Sequence, residues 1–158
     1  MFLKLIYTFF LGILIALFVG LGIDAFYPGP TAPDYPSELS IAKPECGNYD
    51  QLKIEQEKFD QAQKDFNEKS KVYNRNVSIV SLVAAIIIMI ASFTLLSKIK
   101  MIADGILLGG AFATVYSIIR GLMSEDSRFR FLVVTAGLVI TLILGYIKFI
   151  KPKEGKSE

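Results

Sequence analysis

The sequence predicts an all-α integral membrane protein with four transmembrane helices. The second helix is expected to continue outside the membrane as a long amphipathic rod with a Pro-rich strap packed on it. Three observations carry this prediction. Four apolar runs, Phe2 to Ile23, Val77 to Ser97, Met101 to Leu122 and Phe129 to Ile150, each come near the roughly 20 residues a helix needs to cross about 30 Å of hydrocarbon. A polar insert over residues 24–76 separates the first run from the second. Hydrophobic residues form 53% of the 158 and are grouped rather than spread, a composition too apolar for a soluble domain of this size.

The first element, residues 1–23, reads as an uncleaved anchor. Its apolar stretch from Leu5 to Ile23 exceeds the roughly 7 to 15 residues of a signal-peptide core, and Gly20-Leu21-Gly22 is a weak cleavage site. Backbone amides in lipid must be satisfied within the segment, and none of the runs has the alternation of a barrel strand, so all four are expected to be helices.

Residues 24–49 form the strap. From Tyr27 to Pro44 the chain reads YPGPTAPDYPSELSIAKP, whose five prolines and one glycine forbid a long helix and favour extended backbone. Residues 50–76 change character, with no proline or glycine, and Asn48 with Gln51 offers a capping box. Acids precede bases at helical spacing (Asp50 with Lys53, Glu55 with Lys58, Asp60 with Lys64, Asp65 with Lys69, Glu68 with Lys71), as suits a helix wetted on most of its surface. Leu52, Phe59, Phe66 and Tyr73 make an apolar stripe at a period of seven that continues to Val80. The second position of each heptad holds Glu55, Ala62, Lys69 or Asn76, so the stripe is half of a coiled-coil seam. With no breaker between rod and span, one helix of roughly 70 Å is expected from about Asp50 to Ser97. The strap, able to extend to about 80 Å at polyproline rise, has slack to climb beside a rod of roughly 40 Å. Its Phe26, Tyr27, Tyr35, Leu39 and Ile41 are then expected to cover Phe59, Phe66 and Tyr73, the alternative cover being a neighbouring subunit.

The remaining elements are a second span at 77–97, a tight turn at 98–100, a third span at 101–122, a loop at 123–128, a fourth span at 129–150 and a basic tail at 151–158. Lys4, Lys98, Lys100, Lys148, Lys151, Lys153 and Lys156 gather on one side, whereas the insert carries ten acids against seven bases. The lysine asymmetry predicts a plasma-membrane protein with both termini cytoplasmic, against which Lys64, Lys69, Lys71 and Arg75 weigh. Tyr27, Tyr146 and Phe149 fit an interfacial aromatic belt.

Small residues recur every four positions in three spans: Gly12, Ala16 and Gly20; Gly105, Gly109, Ala113, Ser117 and Gly121; Gly137, Thr141 and Gly145. Such ladders let helices approach closely, either inside one bundle or between copies in a homo-oligomer. Asp104 is the one acid within a span, and reads either as a helix N-terminal charge near Lys100 or as part of an ion or proton pathway. Arg120 is expected to snorkel or to meet Glu125 and Asp126. The single Cys46 excludes an intrachain disulfide.

With no histidine, one cysteine, and no nucleophile–base pair or metal-ligand cluster, the chain is not expected to be an enzyme or to hold a cofactor or metal. A net charge of +2 gives no case for nucleic acid. The expected function is that of a small membrane scaffold or interaction protein that presents the rod to an extracellular or periplasmic protein partner. It would be embedded in the lipid bilayer and self-assembled as a homo-oligomer. The alternative is an oligomeric pore or transporter subunit.

Overall fold

The computed structural model describes residues 2–36, 49–95 and 99–147, which contain four α-helices and no strand. They are α1 (Phe2–Phe26), α2 (Tyr49–Leu95), α3 (Lys100–Leu122) and α4 (Ser127–Gly145). Each is long and apolar enough to cross a membrane. Helix α1 runs one turn past the expected Ile23, because Asp24, Ala25 and Phe26 carry nothing that stops it, and ends where Pro28 removes the next amide donor. Helix α2 is unbroken over 47 residues, about 70 Å. Asn48 and its capping box lie outside the described residues.

The α3–α4 connection is tighter than the 123–128 loop expected. The Met123 amide donates back to the Ile119 and Arg120 carbonyls at 3.3 and 3.1 Å, and the Ser124 hydroxyl donates to the Gly121 carbonyl at 2.7 Å. Glu125 then takes a positive φ of 60°, which reverses the chain. Asp126 caps α4, its Oδ1 accepting from the amides of Arg128 at 2.9 Å and Phe129 at 3.3 Å, so α4 starts at Ser127 rather than Phe129.

Helix α3 is the centre of the bundle and packs against the other three. Leu11 and Ile15 of α1 sit over Gly105 and Gly109, so α1 and α3 run parallel. Pairings of α2 with α3 (Ser92 with Ala103, Ser78 with Ser117) and of α4 with α3 (Gly137 with Ile118, Val133 with Gly121) run antiparallel. The start of α1 and the end of α4 therefore share one end of the bundle, and the rod projects from the other.

The ladder residues are spent inside this protomer. A Cβ on Gly109 would lie 2.7 Å from Ile15 Cβ, one on Gly105 2.7 Å from Leu11 Cδ2, one on Gly12 3.0 Å from Leu108 Cγ, and one on Gly137 2.9 Å from Ile118 Cδ1. Ala113 is fully buried beside Ala85 and Met89, and Gly20 makes ordinary contact with the Tyr116 ring, while Ala16 is half-buried. Gly145 departs from the expectation: nothing approaches its Cβ position within 4 Å, since α4 meets the bundle chiefly along its Val133, Gly137, Ile140 and Leu144 face.

Two features were not foreseen. Gly110, next to Gly109, turns the opposite way and receives the Met89 side chain, so the Gly-Gly pair gives α3 one bare face for α1 and another for α2. The second span also has its own small-residue line, Ser78, Ser81, Ala85 and Ser92, all buried. The Ser78 hydroxyl donates to the Ser117 carbonyl at 2.8 Å and the Ser117 hydroxyl to the Ser78 carbonyl at 2.7 Å, while the Ser92 hydroxyl donates to the Ala103 carbonyl at 2.6 Å. The signal was present in the sequence as isolated serines in a run otherwise rich in Val, Ile and Leu. For the same reason the rod's stripe does not continue to Val80, which is 52% exposed: in a membrane-spanning stretch the small residues face the partner helix and the large ones face outward.

Candidate interaction surface where the rod meets the bundle

The rod, from Tyr49 to about Asn76, extends roughly 40 Å beyond the span. Local pairing along it is sparser than the charge pattern suggests. Lys58 meets Glu55 at 3.0 Å, and Gln61 and Gln63 donate amide bonds to Asp65 and Asn67 one turn on. Lys71 does not pair with Glu68 but reaches the α3–α4 turn, where its ammonium lies 2.6 Å from Glu125. That hydrogen bond, with the charge behind it, holds the Glu125 carboxyl below its ordinary value.

A polar latch fixes the rod to the bundle at Tyr73. The Tyr27 ring, just past the end of α1, stacks on Tyr73 with centroids 5.3 Å apart and planes 20° apart, and its hydroxyl accepts from Asn76 Nδ2 at 3.1 Å. On α3, the Arg120 guanidinium lies over the rings of Tyr73 and Tyr116 at 5.7 and 5.4 Å, and donates to Tyr116 Oη and Asn74 Oδ1, both at 3.0 Å. Arg120 therefore does not meet Glu125 or Asp126. The amide and phenol oxygens of Asn74 and Tyr116 are within reach at its own level, and the rings attract the cation by their quadrupoles, each contact contributing on the order of 0.5–2 kcal/mol. Burial pushes the Tyr73 hydroxyl up in pKa, Arg120 pulling it back in part.

Above the latch the strap climbs the rod. Tyr35 meets Phe59 edge to face with centroids 5.2 Å apart, and between the two ring pairs Pro30 and Pro33 lie beside Phe66 and Lys69. Eight residue steps from Tyr27 to Tyr35 span about 25 Å at polyproline rise, and the fourteen steps from Phe59 to Tyr73 span about 21 Å of helix, so this stretch is nearly straight. Pro30, Pro33 and Pro36 are half-buried, whereas Thr31, Ala32, Asp34 and Tyr35 between them are exposed. That period of three is the repeat of a polyproline II helix laid on one edge. Phe26 is not part of the cover: it is 92% exposed, because the last turn of α1 points it away from the rod before the strap begins. Leu52 is half-buried, and the expected covering residues Leu39 and Ile41 lie outside the described residues, as do Cys46 and the basic tail.

Asp104 sits half-buried one turn into α3, level with the inward-facing Ala103 and Gly105. Among the described residues no group of three or more His, Cys, Asp or Glu side chains could hold a metal ion. Comparison with protein-family models, with curated proteins and with solved structures found no match.

Proposed function

We propose that the chain is a small multi-pass membrane scaffold whose rod and strap form a rigid surface for a protein partner on the extracellular or periplasmic side, both termini being cytoplasmic. The observation that carries this reading is the latch. Tyr27, Tyr73, Asn74, Asn76, Tyr116 and Arg120 tie α1, the rod and α3 together at one level, which gives the projecting helix a fixed bearing on the bundle. A helix meant only to cross a bilayer has no need of such an anchor. Self-assembly belongs to the same proposal, but through the strap and the exposed faces of α1 and α4 rather than through the glycine ladder, which is occupied within the protomer.

The pore reading draws on Asp104 and on the glycine ladders, most of whose positions are occupied within the protomer. The buried hydroxyls of Ser78, Ser92 and Ser117 spend their protons on backbone carbonyls, which suits helix-to-helix attachment better than solvation of an ion.

Photocrosslinking in intact cells from exposed rod positions such as Gln56 and Gln61 tests the scaffold reading. A discrete partner should be captured from the rod, and co-purification of that partner with the otherwise intact chain should cease when Pro33 to Asn67 is deleted, with the four spans still inserted. A membrane-impermeant maleimide should label Cys46 without permeabilisation; labelling only afterwards would reverse the orientation. Conductance from the purified protein in liposomes that falls on Asp104→Asn would overturn the scaffold reading in favour of a pore or transporter subunit.

A further inference from the structure

Arg130, in the first turn of α4, carries a charge that the fold leaves without an anion. Its Nε is buried, and among the described residues that atom has no hydrogen-bond partner and the guanidinium no ion pair. The two nearby acids are already engaged. Glu125 is held by Lys71 at 2.6 Å and feels Arg130 only as a weaker charge, while Asp126 is turned back to cap α4, its Oδ1 accepting from the amides of Arg128 and Phe129. A charged donor withdrawn from water is costly to leave unmatched, so a guanidinium held in this way is set up for an acceptor from outside the chain. Its level follows from the packing below. A Cβ on Gly121 of α3 would lie 2.9 Å from Ser78 Oγ on α2 and 3.2 Å from Val133 Cγ1 on α4, and Arg75 and Arg130 each stand three residues, about 4.5 Å, nearer the rod than those two. Beneath each base runs an exposed apolar line: Val134 and Leu138 below Arg130, Ile79 and Ile86 below Arg75. Spacings of four and seven residues keep each line on the side of the helix that bears its base.

We propose that Arg130 binds the phosphodiester of an anionic phospholipid, seated at the edge of the hydrocarbon beside α4 with its acyl chains along the Val134 and Leu138 line. A guanidinium matches phosphate oxygens with parallel N–H donors, and Nε together with one terminal nitrogen supplies such a pair. The apolar line directly beneath the donor lies where the chains of a lipid held by its headgroup would run, and a soluble phosphate would have no use for it. The sign of the headgroup follows from the local charge. Residues 71–76 and 120–130 carry five bases against two acids, to which α1 adds Asp24, so a headgroup of net negative charge is favoured over a zwitterionic one. Arg128 supplies an internal contrast: it is exposed, and it lies two residues and about 200° around the helix from Arg130. The lipid site needs the spans to lie in a bilayer, and needs neither the rod's partner nor a given orientation of the termini.

The chain contains no tryptophan, so Val134→Trp places a single reporter beside the site, where 45% exposure leaves room for the larger ring. The full-length chain with this substitution is reconstituted in phosphatidylcholine vesicles that contain a small fraction of either bromine-labelled phosphatidylglycerol or bromine-labelled phosphatidylcholine, both of which quench indole fluorescence on contact. Quenching by the labelled phosphatidylglycerol should exceed that by the labelled phosphatidylcholine about five-fold; Arg130→Gln should bring the two to one value, and Arg128→Gln should leave the preference in place. Arg130→Lys keeps the charge but lacks the Nε donor, and should fall between the unsubstituted arginine and Arg130→Gln. Equal losses with Arg128→Gln and Arg130→Gln would reduce the preference to general surface charge and overturn the site, as would quenching that does not distinguish the two lipids. Inorganic phosphate added at constant ionic strength should leave the quenching unchanged; relief of quenching would assign the guanidinium to a soluble anion and overturn the lipid. Native mass spectrometry of the unsubstituted chain, released from mild detergent containing the two unlabelled lipids in equal amounts, requires no variant to fold. Retained phosphatidylglycerol should outnumber retained phosphatidylcholine, and equal retention would sink the proposal.

Discussion

Along one unbroken helix, α2 meets two partners by opposite means. Between Val77 and Ser92 it meets α3 through small residues: hydroxyls bond directly to backbone carbonyls at 2.6–2.8 Å, and Met89 fills the hollow over Gly110. Between Phe59 and Tyr73 it meets the strap through large ones: stacked and edge-to-face rings, proline edges, and clefts left open on both sides. On the proposed topology, with the rod outside the membrane, the contrast follows the solvent. In hydrocarbon, helices gain nothing by hiding leucine from lipid, so attachment rests on close approach and interhelical hydrogen bonds. In water, removing apolar rings and proline from solvent is itself the driving force, and tight fit is less needed. The latch at Tyr73, Asn74 and Arg120 lies where the two regimes meet and uses both, with cation–ring contacts and amide hydrogen bonds together.

The comparison depends on α2 being mechanically continuous, and breaking that continuity should have the largest effect. Arg75→Pro, at an exposed position between the latch residues Asn74 and Asn76, removes one helical amide bond and clashes with the preceding turn, at a cost of about 3 kcal/mol or more. The spans should stay inserted while spin labels placed at Gln63 and on the α3–α4 turn show a broadened distance distribution. An unchanged narrow distribution would mean that the strap and latch orient the rod without α2.

Next come the bare faces of α3. Gly109→Ala brings a methyl to 2.7 Å from the branched Cβ of Ile15, which cannot swing aside, so an overpacking cost of about 1–3 kcal/mol is expected. Gly105→Ala meets the end of the Leu11 side chain at the same 2.7 Å, and a rotamer change should relieve most of it. Gly145→Ala meets nothing and should gain helix propensity, up to about 1 kcal/mol. Thermal unfolding in one detergent should rank the three in that order, and equal losses at Gly105 and Gly109 would show that α1 packs less rigidly than described.

Removing both interhelical hydroxyls tests the hydrocarbon regime more gently. Ser78→Ala with Ser117→Ala should cost on the order of 1 kcal/mol, since bonds of this kind average about 0.6 kcal/mol each in membrane helices. The loss should appear in α2–α3 unfolding and leave strap docking, read by Tyr35→Trp emission, untouched. A strap that loosens in parallel would show that the two contacts are one cooperative unit.

The smallest effect concerns the exposed pair of Lys71 and Glu125. Lys71 depresses the Glu125 carboxyl below 4.5, so the pair's contribution is present above that ordinary carboxyl value and is lost as pH falls through the lower folded one. The Lys71 and Glu125 side chains are 41% and 60% exposed, which makes the link weak and sensitive to salt. Acidification below about pH 4.5 should lower the protection of the 123–126 amides relative to their intrinsic exchange rates, and Glu125→Gln should abolish that dependence.

Much of the architecture is legible in the sequence because it depends on near neighbours. Run length and the absence of breakers give four helices and an unbroken α2. The proline spacing gives an extended strap, and the seven-residue stripe marks the rod face on which Tyr27 and Tyr35 come to lie. These are consequences of backbone sterics and of periodicity within a single element, and no knowledge of the neighbours is needed to read them. What only the tertiary structure decided is which group meets which across elements. Glycines 109 and 110 look equivalent in sequence, yet one receives Ile15 and the other Met89. Arg120, expected to seek the nearby acids, finds Asn74 and two tyrosine rings, and Lys71 takes Glu125 in its place. Ser78 and Ser117, 39 residues apart, bond reciprocally only because α2 and α3 settle at one axial register. That register is the sum of many weak contacts along two antiparallel helices, and a shift of one residue, about 1.5 Å along the axis and 100° around it, would change every partner.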